Sequence, residues 1–199
     1  KGRILFAVAS DLHFASKLQR PECLTNFIDL CYEMGVRRVF CPGDIFAGVR
    51  MYPGQPNEVT TCSMEGQLEA GVKGLPRREG LTYDIIGGNH DESFMKSCGA
   101  DIISALGRRR QDVRTYGFYS GLFDIGAEGV KNPIKVELHH PDKAGAYAMT
   151  YHMQKEIEQI APGMKPHIIF MGHTHQSVFL PDYRNVAGFY CGTFEDQTL

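Results

Sequence analysis

The stretch Leu81-Thr82-Tyr83-Asp84-Ile85-Ile86-Gly87-Gly88-Asn89-His90-Asp91 runs from a strand-like apolar segment directly into a group of polar side chains. Four other strand-like segments of the chain also lead into Asp or His residues. The five polar segments are Asp11-Leu12-His13, Gly43-Asp44, Gly88-Asn89-His90-Asp91, His139-His140 and Gly172-His173-Thr174-His175. In open α/β sheets, reacting groups collect beyond the carboxyl ends of the strands. The five segments therefore predict one polynuclear metal site.

The order of the apolar segments predicts an α/β fold with two sheets. Strand-like runs at residues 4–9, 36–40 and 81–86 alternate with helical patterns in the first half of the chain, including one at residues 93–106. Consecutive short strand-like runs dominate the second half. This arrangement is typical of a two-sheet β-sandwich flanked by helices.

The length of 199 residues suits a single domain, which we expect to span residues 1–199. Glycine and proline punctuate residues 47–80, with a helix expected at about residues 57–72 and Asn57 as its N-cap. We interpret residues 47–80 as an insertion beside the rim of the site. A surface excursion without a role in substrate binding fits this composition equally well.

Charge and composition limit the function classes. A formal net charge of −2 gives no electrostatic footprint for wrapping nucleic acid. The six cysteines form no C-x-x-C pair, so we expect buried, reduced thiols of a cytosolic protein. The chain has no apolar run of about 18 residues, so we expect no membrane span and a cytoplasmic location.

The candidate ligands combine carboxylate, amide and imidazole groups. Asp11 and His13 are two residues apart, so in an extended segment both would point to the same face, and His173 and His175 repeat this spacing. Asp44 has two carboxylate oxygens and could bridge two cations. This mixture of oxygen and nitrogen donors favours Mn, Zn, Fe, Ni or Co over Ca or Mg.

In type and order, the five motifs resemble those of the calcineurin-like metallophosphoesterase superfamily over nearly the whole chain. The resemblance implies a four-layer fold and two divalent transition-metal ions, with manganese expected first. It implies that one metal is held by Asp11, His13, Asp44 and His175. Asp44 would bridge to a second metal held by Asn89, His173 and one histidine of the pair His139-His140.

The resemblance leaves a choice within the histidine pair. The family ligand usually follows its strand directly, which favours His139 and leaves His140 as a rim or supporting residue. The reverse assignment stays open.

The resemblance also implies catalytic roles for His90 and Asp91. His90 would contact a phosphoryl oxygen or protonate the leaving oxygen, and Asp91 would orient the ring of His90. The alternative is a histidine that only braces the loop by bonding to Asp91.

The implied activity is phosphoester hydrolysis by a hydroxide that bridges the two metals. The superfamily's Ser/Thr protein phosphatases have Asp-Arg-Gly where this chain has Ile45-Phe46-Ala47, which disfavours that branch. Gly43-Asp44-Ile45-Phe46 is similar to the DNA-repair nucleases and favours a phosphodiesterase that acts on nucleotides or single-stranded nucleic acid. A broad-range phosphomonoesterase is the first alternative. A non-catalytic scaffold on a degenerate fold is the second, and the intact ligand set disfavours it.

Several basic and aromatic residues are candidates for substrate contact. Phosphate contacts could come from Lys17, Arg20, Arg77-Arg78 and Lys143. A base could stack on Tyr147 and Tyr151, and a role in packing fits these two tyrosines at least as well. We interpret Arg108-Arg109-Arg110 as a solvated helix end. The sequence does not indicate an oligomeric state.

Overall fold

The computed structural model describes residues 3–126, 131–142 and 148–196. In these ranges the chain forms two sheets. The first sheet is parallel, in the order β1 (Ala7–Val8), β2 (Arg38–Pro42), β3 (Thr82–Gly87) and β4 (Val113–Phe118). The second is mixed, in the order β5 (Ser120–Ile125), β6 (Ile134–His139), β7 (Ile168–Met171), β9 (Val186–Cys191) and β8 (Ser177–Tyr183).

Alternation along the strands separates three apolar layers. Val39 and Cys41 of β2 face the helices α1 (Pro21–Glu33), α2 (Met64–Gly74), α3 (Asn89–Cys98) and α4 (Ile102–Arg109). Phe40 of the same strand faces the second sheet, where it meets Val136 and Leu138. Helix α5 (Tyr151–Gln159) covers the outer face of the second sheet. The predicted two-sheet, four-layer architecture is confirmed.

Two predicted elements differ from the structure. The first strand has only two residues, Ala7–Val8, because residues 4–6 lie outside the sheet. The helix expected at residues 93–106 is two helices, α3 and α4. Gly99 adopts a left-handed conformation with φ 70° and ends α3, and Asp101 then caps α4 by accepting a hydrogen bond from the Ser104 amide at 2.9 Å.

The helix within residues 47–80 belongs to the core. It begins at Met64, where Ser63 accepts a hydrogen bond from the Gly66 amide at 3.0 Å, and not at Asn57. It joins the parallel strands β2 and β3 and buries Leu68 and Gly71. Because α2 is the crossover helix of the first sheet, the predicted insertion is wrong for this part. Residues 47–60 are the part that reaches the site.

The arginine triplet after α4 is only partly solvated. Arg108 is exposed, whereas Arg110 is fully buried and donates to the Leu75 carbonyl at 2.8 Å and to the Val72 carbonyl at 3.0 Å. Arg110 therefore satisfies backbone oxygens at the end of α2. Arg109 pairs with two glutamates of α2, Glu65 and Glu69.

All six cysteines are free. Cys41 is buried, and burial raises the pKa of its thiol. The expectation of buried thiols is wrong for Cys23, Cys62 and Cys98, which are exposed. In the described ranges, no helix combines the length and apolarity that a membrane span requires.

Candidate metal centre

The predicted polar segments meet at one end of the two sheets. Asp11, Asp44 and Asn89 follow the first three strands of the parallel sheet, and His140 and His173 follow β6 and β7. Backbone hydrogen bonds join the segments, from the Asp11 amide to the Gly43 carbonyl at 3.1 Å and from the Gly172 amide to the His139 carbonyl at 3.1 Å. The site is therefore assembled from loops of both sheets.

One group of candidate ligands consists of Asp11, His13 and His175, whose ligand atoms all lie within 4.8 Å of one another. The Nε2 atoms of His13 and His175 are 3.1 Å apart, and His175 Nε2 lies 3.5 Å from Asp11 Oδ1. Asp11 and His13 are buried. One carboxylate and two imidazoles thus converge on a single point, as a first-row divalent ion requires.

A second group of the same composition consists of Asp44, His140 and His173, also within 4.8 Å of one another. His140 Nε2 lies 3.2 Å from Asp44 Oδ2, and both side chains are buried. The amide oxygen of Asn89 is 3.0 Å from the same His140 nitrogen. Asn89 therefore lies where the sequence predicted a ligand, beside the second group.

The preference for His139 over His140 is reversed by the structure. His140 follows the same alternation as Val136 and Leu138, which are buried between the sheets. His139 points to the opposite side, with Nδ1 at 3.5 Å from Glu137 and Nε2 at 3.7 Å from Glu156. The strand includes His139, so the first residue beyond it is His140.

The site residues adopt an unusual backbone conformation. Five of the candidate ligands are non-glycine residues with positive φ: Asp11 at 52°, His13 at 45°, Asp44 at 50°, His173 at 74° and His175 at 55°. Such φ values are uncommon for residues with a side chain and cluster at functional sites. Asp11 and His13 lie in the same group and His173 and His175 in different groups, and turns with positive φ, not an extended strand, position these side chains.

Two glycines allow the close approach of the loops. Gly43 has φ +97°, and a Cβ atom there would overlap the His140 ring. A Cβ atom at Gly88 would collide with both the Asp44 carboxylate and the His140 ring. The second ligand group could not assemble around larger residues at these two positions.

The structure changes the predicted role of Asp91. Its buried carboxylate accepts hydrogen bonds from the backbone amides of Ile45 at 3.1 Å, Phe46 at 2.8 Å and Gly88 at 2.8 Å. The His90 ring is held instead by the Ala47 carbonyl, 2.7 Å from its Nδ1. Asp91 thus fastens the loop after β2 to the loop after β3 and does not orient the ring.

The electrostatics of the two groups follow from burial and proximity. Burial and the charge of His90 lower the pKa of His13 to about 3. Burial opposes the charged form of His140, but Asp44 outweighs it and raises the pKa of His140 to about 9. Burial likewise opposes ionisation of Asp44, yet His140 holds the pKa of Asp44 well below its usual range. Without a metal, Asp44 and His140 therefore form a buried ion pair.

Glu195 lies beside the first group and was missed by the sequence analysis. Its Oε2 is 3.6 Å from His13 Nε2. The segment that carries it is fastened to the Asp11 carbonyl by the Phe194 amide at 3.1 Å and the Thr193 hydroxyl at 2.9 Å. No motif surrounds Glu195 in the sequence, so only the folded chain reveals its position.

A cavity of about 720 Å³ opens over the site. His13, His90 and His173 line it, together with the acidic residues Asp44, Glu58, Glu195 and Asp196. Among the described residues, no lysine or arginine lines this cavity. The cavity therefore approaches the ligand groups through an acidic wall.

The described residues that were predicted to contact phosphate do not line this cavity. Lys17 donates to the Asn57 carbonyl at 2.8 Å, Arg20 pairs with Glu22 and Asp196, and Arg78 pairs with Asp29. Arg77 and Arg78 line a separate cavity with Arg109. Tyr151 lines another cavity, with His139. Lys143 and Tyr147 lie outside the described residues.

Comparisons with known proteins give distant likenesses. No family model matches the chain. The DNA polymerase II small subunit of Methanothermobacter thermautotrophicus is 23% identical over an alignment of 233 positions, which covers 97% of this chain and 48% of that protein. The chain thus spans about half the length of this curated relative.

Three solved structures are similar over most of the chain. The first is a conserved uncharacterized protein (predicted phosphoesterase) from Streptococcus pneumoniae TIGR4, with 15% identity, coverage of 94% of this chain and 71% of that chain, and a TM-score of 0.42. The second is a single mutant of Vps29 from Entamoeba histolytica, with 16% identity, coverage of 94% and 73% of the two chains, and a TM-score of 0.44. The third is the nuclease MPE of Pseudomonas putida, with 15% identity, coverage of 96% and 76% of the two chains, and a TM-score of 0.44. At such TM-scores, the fold assignment depends on the strand order and layers described above.

Proposed function

We propose that this chain, which has the fold and the ordered motifs of the calcineurin-like metallophosphoesterase superfamily, is a dinuclear metal-dependent phosphoester hydrolase. One observation carries the proposal. Two adjacent groups each bring together one carboxylate and two imidazoles, and a further histidine, His90, stands beside both without belonging to either.

The donor set fits two divalent first-row ions. In the first group, two imidazole nitrogens face each other at 3.1 Å beside a buried carboxylate, an arrangement that a shared cation would stabilise. Asp11, His13 and His175 would hold one ion, and Asn89, His140 and His173 the other, with Asp44 serving both. Bound ions of this kind polarise a phosphoryl oxygen and acidify water. Manganese remains our first expectation.

We assign proton exchange with the substrate to His90. The Ala47 carbonyl can only accept, so Nδ1 of His90 carries a proton and donates to it. The other nitrogen, Nε2, lies 3.9 Å from Asp44 Oδ2, and the side chain lines the cavity. We therefore assign to Nε2 the contact with a phosphoryl or leaving oxygen. Asp91 supports this role indirectly, because it fixes the two loops that carry Asp44 and His90.

We propose phosphodiesters as the substrate class, in a nucleotide or a short single strand of nucleic acid. A phosphomonoester near neutral pH carries almost one negative charge more than a diester. The acidic cavity wall of Glu58, Glu195 and Asp196 would repel that extra charge. The acidic wall also disfavours a long polyanion lying over it.

The test is hydrolysis of bis-p-nitrophenyl phosphate and p-nitrophenyl phosphate by the metal-loaded protein. We expect the diester to have the higher kcat/KM, EDTA to abolish the activity, and Mn, Ni or Co to restore it better than Mg. Asp44→Asn should lose both bound metal and activity, whereas Asp124→Asn, at an exposed carboxylate paired with Lys135, should lose neither.

Each alternative has its own outcome. A clear monoester preference would indicate a phosphomonoesterase. A protein that binds two metals and cleaves neither ester would indicate a scaffold. Full activity in metal-free protein would refute the assignment of the site.

A further inference from the structure

A second cavity adjoins the first at the metal centre. It has a volume of about 480 Å³, and its lining includes Arg50, Asn89, Lys96 and Tyr119. Asn89 lines this second cavity, and the next residue in the chain, His90, lines the first. The two cavities therefore meet neighbouring residues at the candidate metal centre, where the Asn89 oxygen lies beside the second ligand group.

The two cavities differ in charge. The first is lined by four carboxylates and, within the described ranges, by no lysine or arginine. Among the described residues, the second is lined by two basic side chains, Arg50 and Lys96, and by one carboxylate, Asp142. A substrate that crosses the centre thus meets carboxylates on one side and two basic side chains on the other.

Arg50 is the available cation of the second cavity. Lys96 is paired with Glu92, which also accepts a hydrogen bond from the Tyr119 hydroxyl at 2.5 Å. The Arg50 side chain is exposed and makes no hydrogen bond or ion pair with any described residue. Its guanidinium can therefore bind an anion without first breaking a contact, and its planar fork of donors matches a phosphate.

On the acidic side, Glu195 is the carboxylate that has no lysine or arginine partner among the described residues and lies beside the candidate ligand His13. Asp196 pairs with Arg20, and Glu58 accepts a hydrogen bond from the Tyr52 hydroxyl at 2.6 Å. Glu195 lines the wall of the first cavity.

We propose that the second cavity is a subsite for a further phosphate of the substrate, bound by Arg50, and that Glu195 disfavours such a group on the other side. The inference rests on the proposed function. It defines the substrate as a diester with additional phosphate on one side only, such as the terminal linkage of a short oligonucleotide. A volume of about 480 Å³ lies within the roughly 300–1,000 Å³ usual for ligand pockets and is large enough for a nucleotide unit.

The experiment compares thymidine dinucleotides that differ only in their terminal phosphate. The substrates are the unphosphorylated dinucleotide, the same with a 5′-phosphate, and the same with a 3′-phosphate, with bis-p-nitrophenyl phosphate as the reference. We expect one phosphorylated isomer to have a kcat/KM about 10–100-fold above that of the unphosphorylated dinucleotide, as a charge-assisted contact allows. The other isomer should show no gain.

Variants connect this preference to Arg50. Arg50→Ala should remove the gain and leave hydrolysis of bis-p-nitrophenyl phosphate unchanged, and Arg50→Lys should retain part of it. The matched control is Arg108→Ala, which removes the same charge from an exposed helix end and should keep the full gain. Glu195→Gln should raise the kcat/KM of the disfavoured isomer and so reduce the ratio of kcat/KM between the two isomers. This ratio does not change when a variant lowers the rate on all substrates equally.

The outcomes separate this inference from the proposed function. Equal gains for both isomers, no gain for either, or an equal loss on all substrates in Arg50→Ala would overturn the subsite. Failure of the metal-loaded protein to cleave bis-p-nitrophenyl phosphate would instead overturn the proposed function.

Discussion

Two regions of this molecule bury carboxylates, and they differ in what surrounds them. Asp84 in β3 is fully buried and bonds to Arg38 Nε at 2.6 Å, to an Arg114 nitrogen at 2.9 Å and to the Tyr116 hydroxyl at 2.8 Å. Asp11 and Asp44 at the metal centre are equally buried. In the described part of the chain, their ion-pair contacts are with histidines alone.

We infer from this difference that Asp84 belongs to a structural cluster and that Asp11 and Asp44 belong to the candidate metal centre. A buried carboxylate is costly unless a cation compensates its charge. The chain supplies permanent cations for Asp84 in the form of arginines. For Asp11 and Asp44 it supplies imidazoles, which can either carry a proton or bind a metal. The second arrangement leaves the place of the cation to an ion from solution.

The largest expected effect concerns the histidine outside both ligand groups. His90→Ala should lower kcat by about 10²–10⁴-fold, because it removes the group to which we assign proton exchange with the substrate. Metal content, measured by elemental analysis of the dialysed protein, should stay that of the unaltered protein. Stoichiometric loss of metal would instead identify His90 as a metal ligand and contradict its separation from the two ligand groups.

The neighbouring histidines give a matched pair for the ligand assignment. His140→Ala should weaken metal binding by more than the ~10–100-fold typical of residues that only support a ligand, because it removes a donor. His139→Ala should bind metal as the unaltered protein does, since its ring faces Glu137 and Glu156. Calorimetric titration with Mn on both variants checks this, and the opposite ranking would restore the assignment to His139.

The structural cluster should respond in the opposite way. Asp84→Ala leaves Arg38 and Arg114 without their shared carboxylate and should lower the free energy of unfolding by about 2–3 kcal/mol. Metal affinity should not change. Urea denaturation monitored by circular dichroism measures the loss, with the exposed Asp124→Ala as the control, expected to cost about 0.5 kcal/mol or less. A change in metal stoichiometry in Asp84→Ala would contradict the separation of the two regions.

The smallest expected effect is the release of a proton when a metal binds. Asp44 raises the pKa of His140 to about 9, so below that pH His140 carries a proton that a metal must displace. Metal affinity should therefore rise with pH until about pH 9, and binding at pH 7 should release protons. Calorimetry in two buffers of different ionisation enthalpy detects this release. Identical heats in the two buffers would show that no proton leaves.

The sequence predicts the site best where chain order alone decides the geometry. Polar residues that follow neighbouring parallel strands lie at the same edge of the sheet, so the proximity of Asp11 and Asp44 could be expected. The choice between His139 and His140 depends on strand alternation, and both residues follow the same apolar run. The alternation of side chains along the strand would have selected His140, because Val136 and Leu138 share its face and the polar residues Lys135 and Glu137 lie on the opposite face with His139.

Other features depend on contacts between distant parts of the chain. Glu195 lies at the centre because the Thr193 hydroxyl and the Phe194 amide both donate to the Asp11 carbonyl. Thr193 and Asp11 are 182 residues apart along the chain. The sequence predicts Arg110 to be a surface residue. Its burial depends on the position of α2, which supplies the Val72 and Leu75 carbonyls that accept its hydrogen bonds. Such pairings have no local pattern that periodicity or spacing could reveal.

The hydrogen bonds by which Asp91 joins the two loops have a consequence for the motions of the site. Its carboxylate holds the amides of Ile45, Phe46 and Gly88, so these amides cannot exchange with solvent unless both loops open together. In deuterium oxide they should exchange as slowly as amides of the central strands, and Asp91→Ala should accelerate them selectively. Loops that border an active site are usually the fastest parts of a protein to open. Here the loops that carry Asp44 and His90 would be among the last segments of the protein to open.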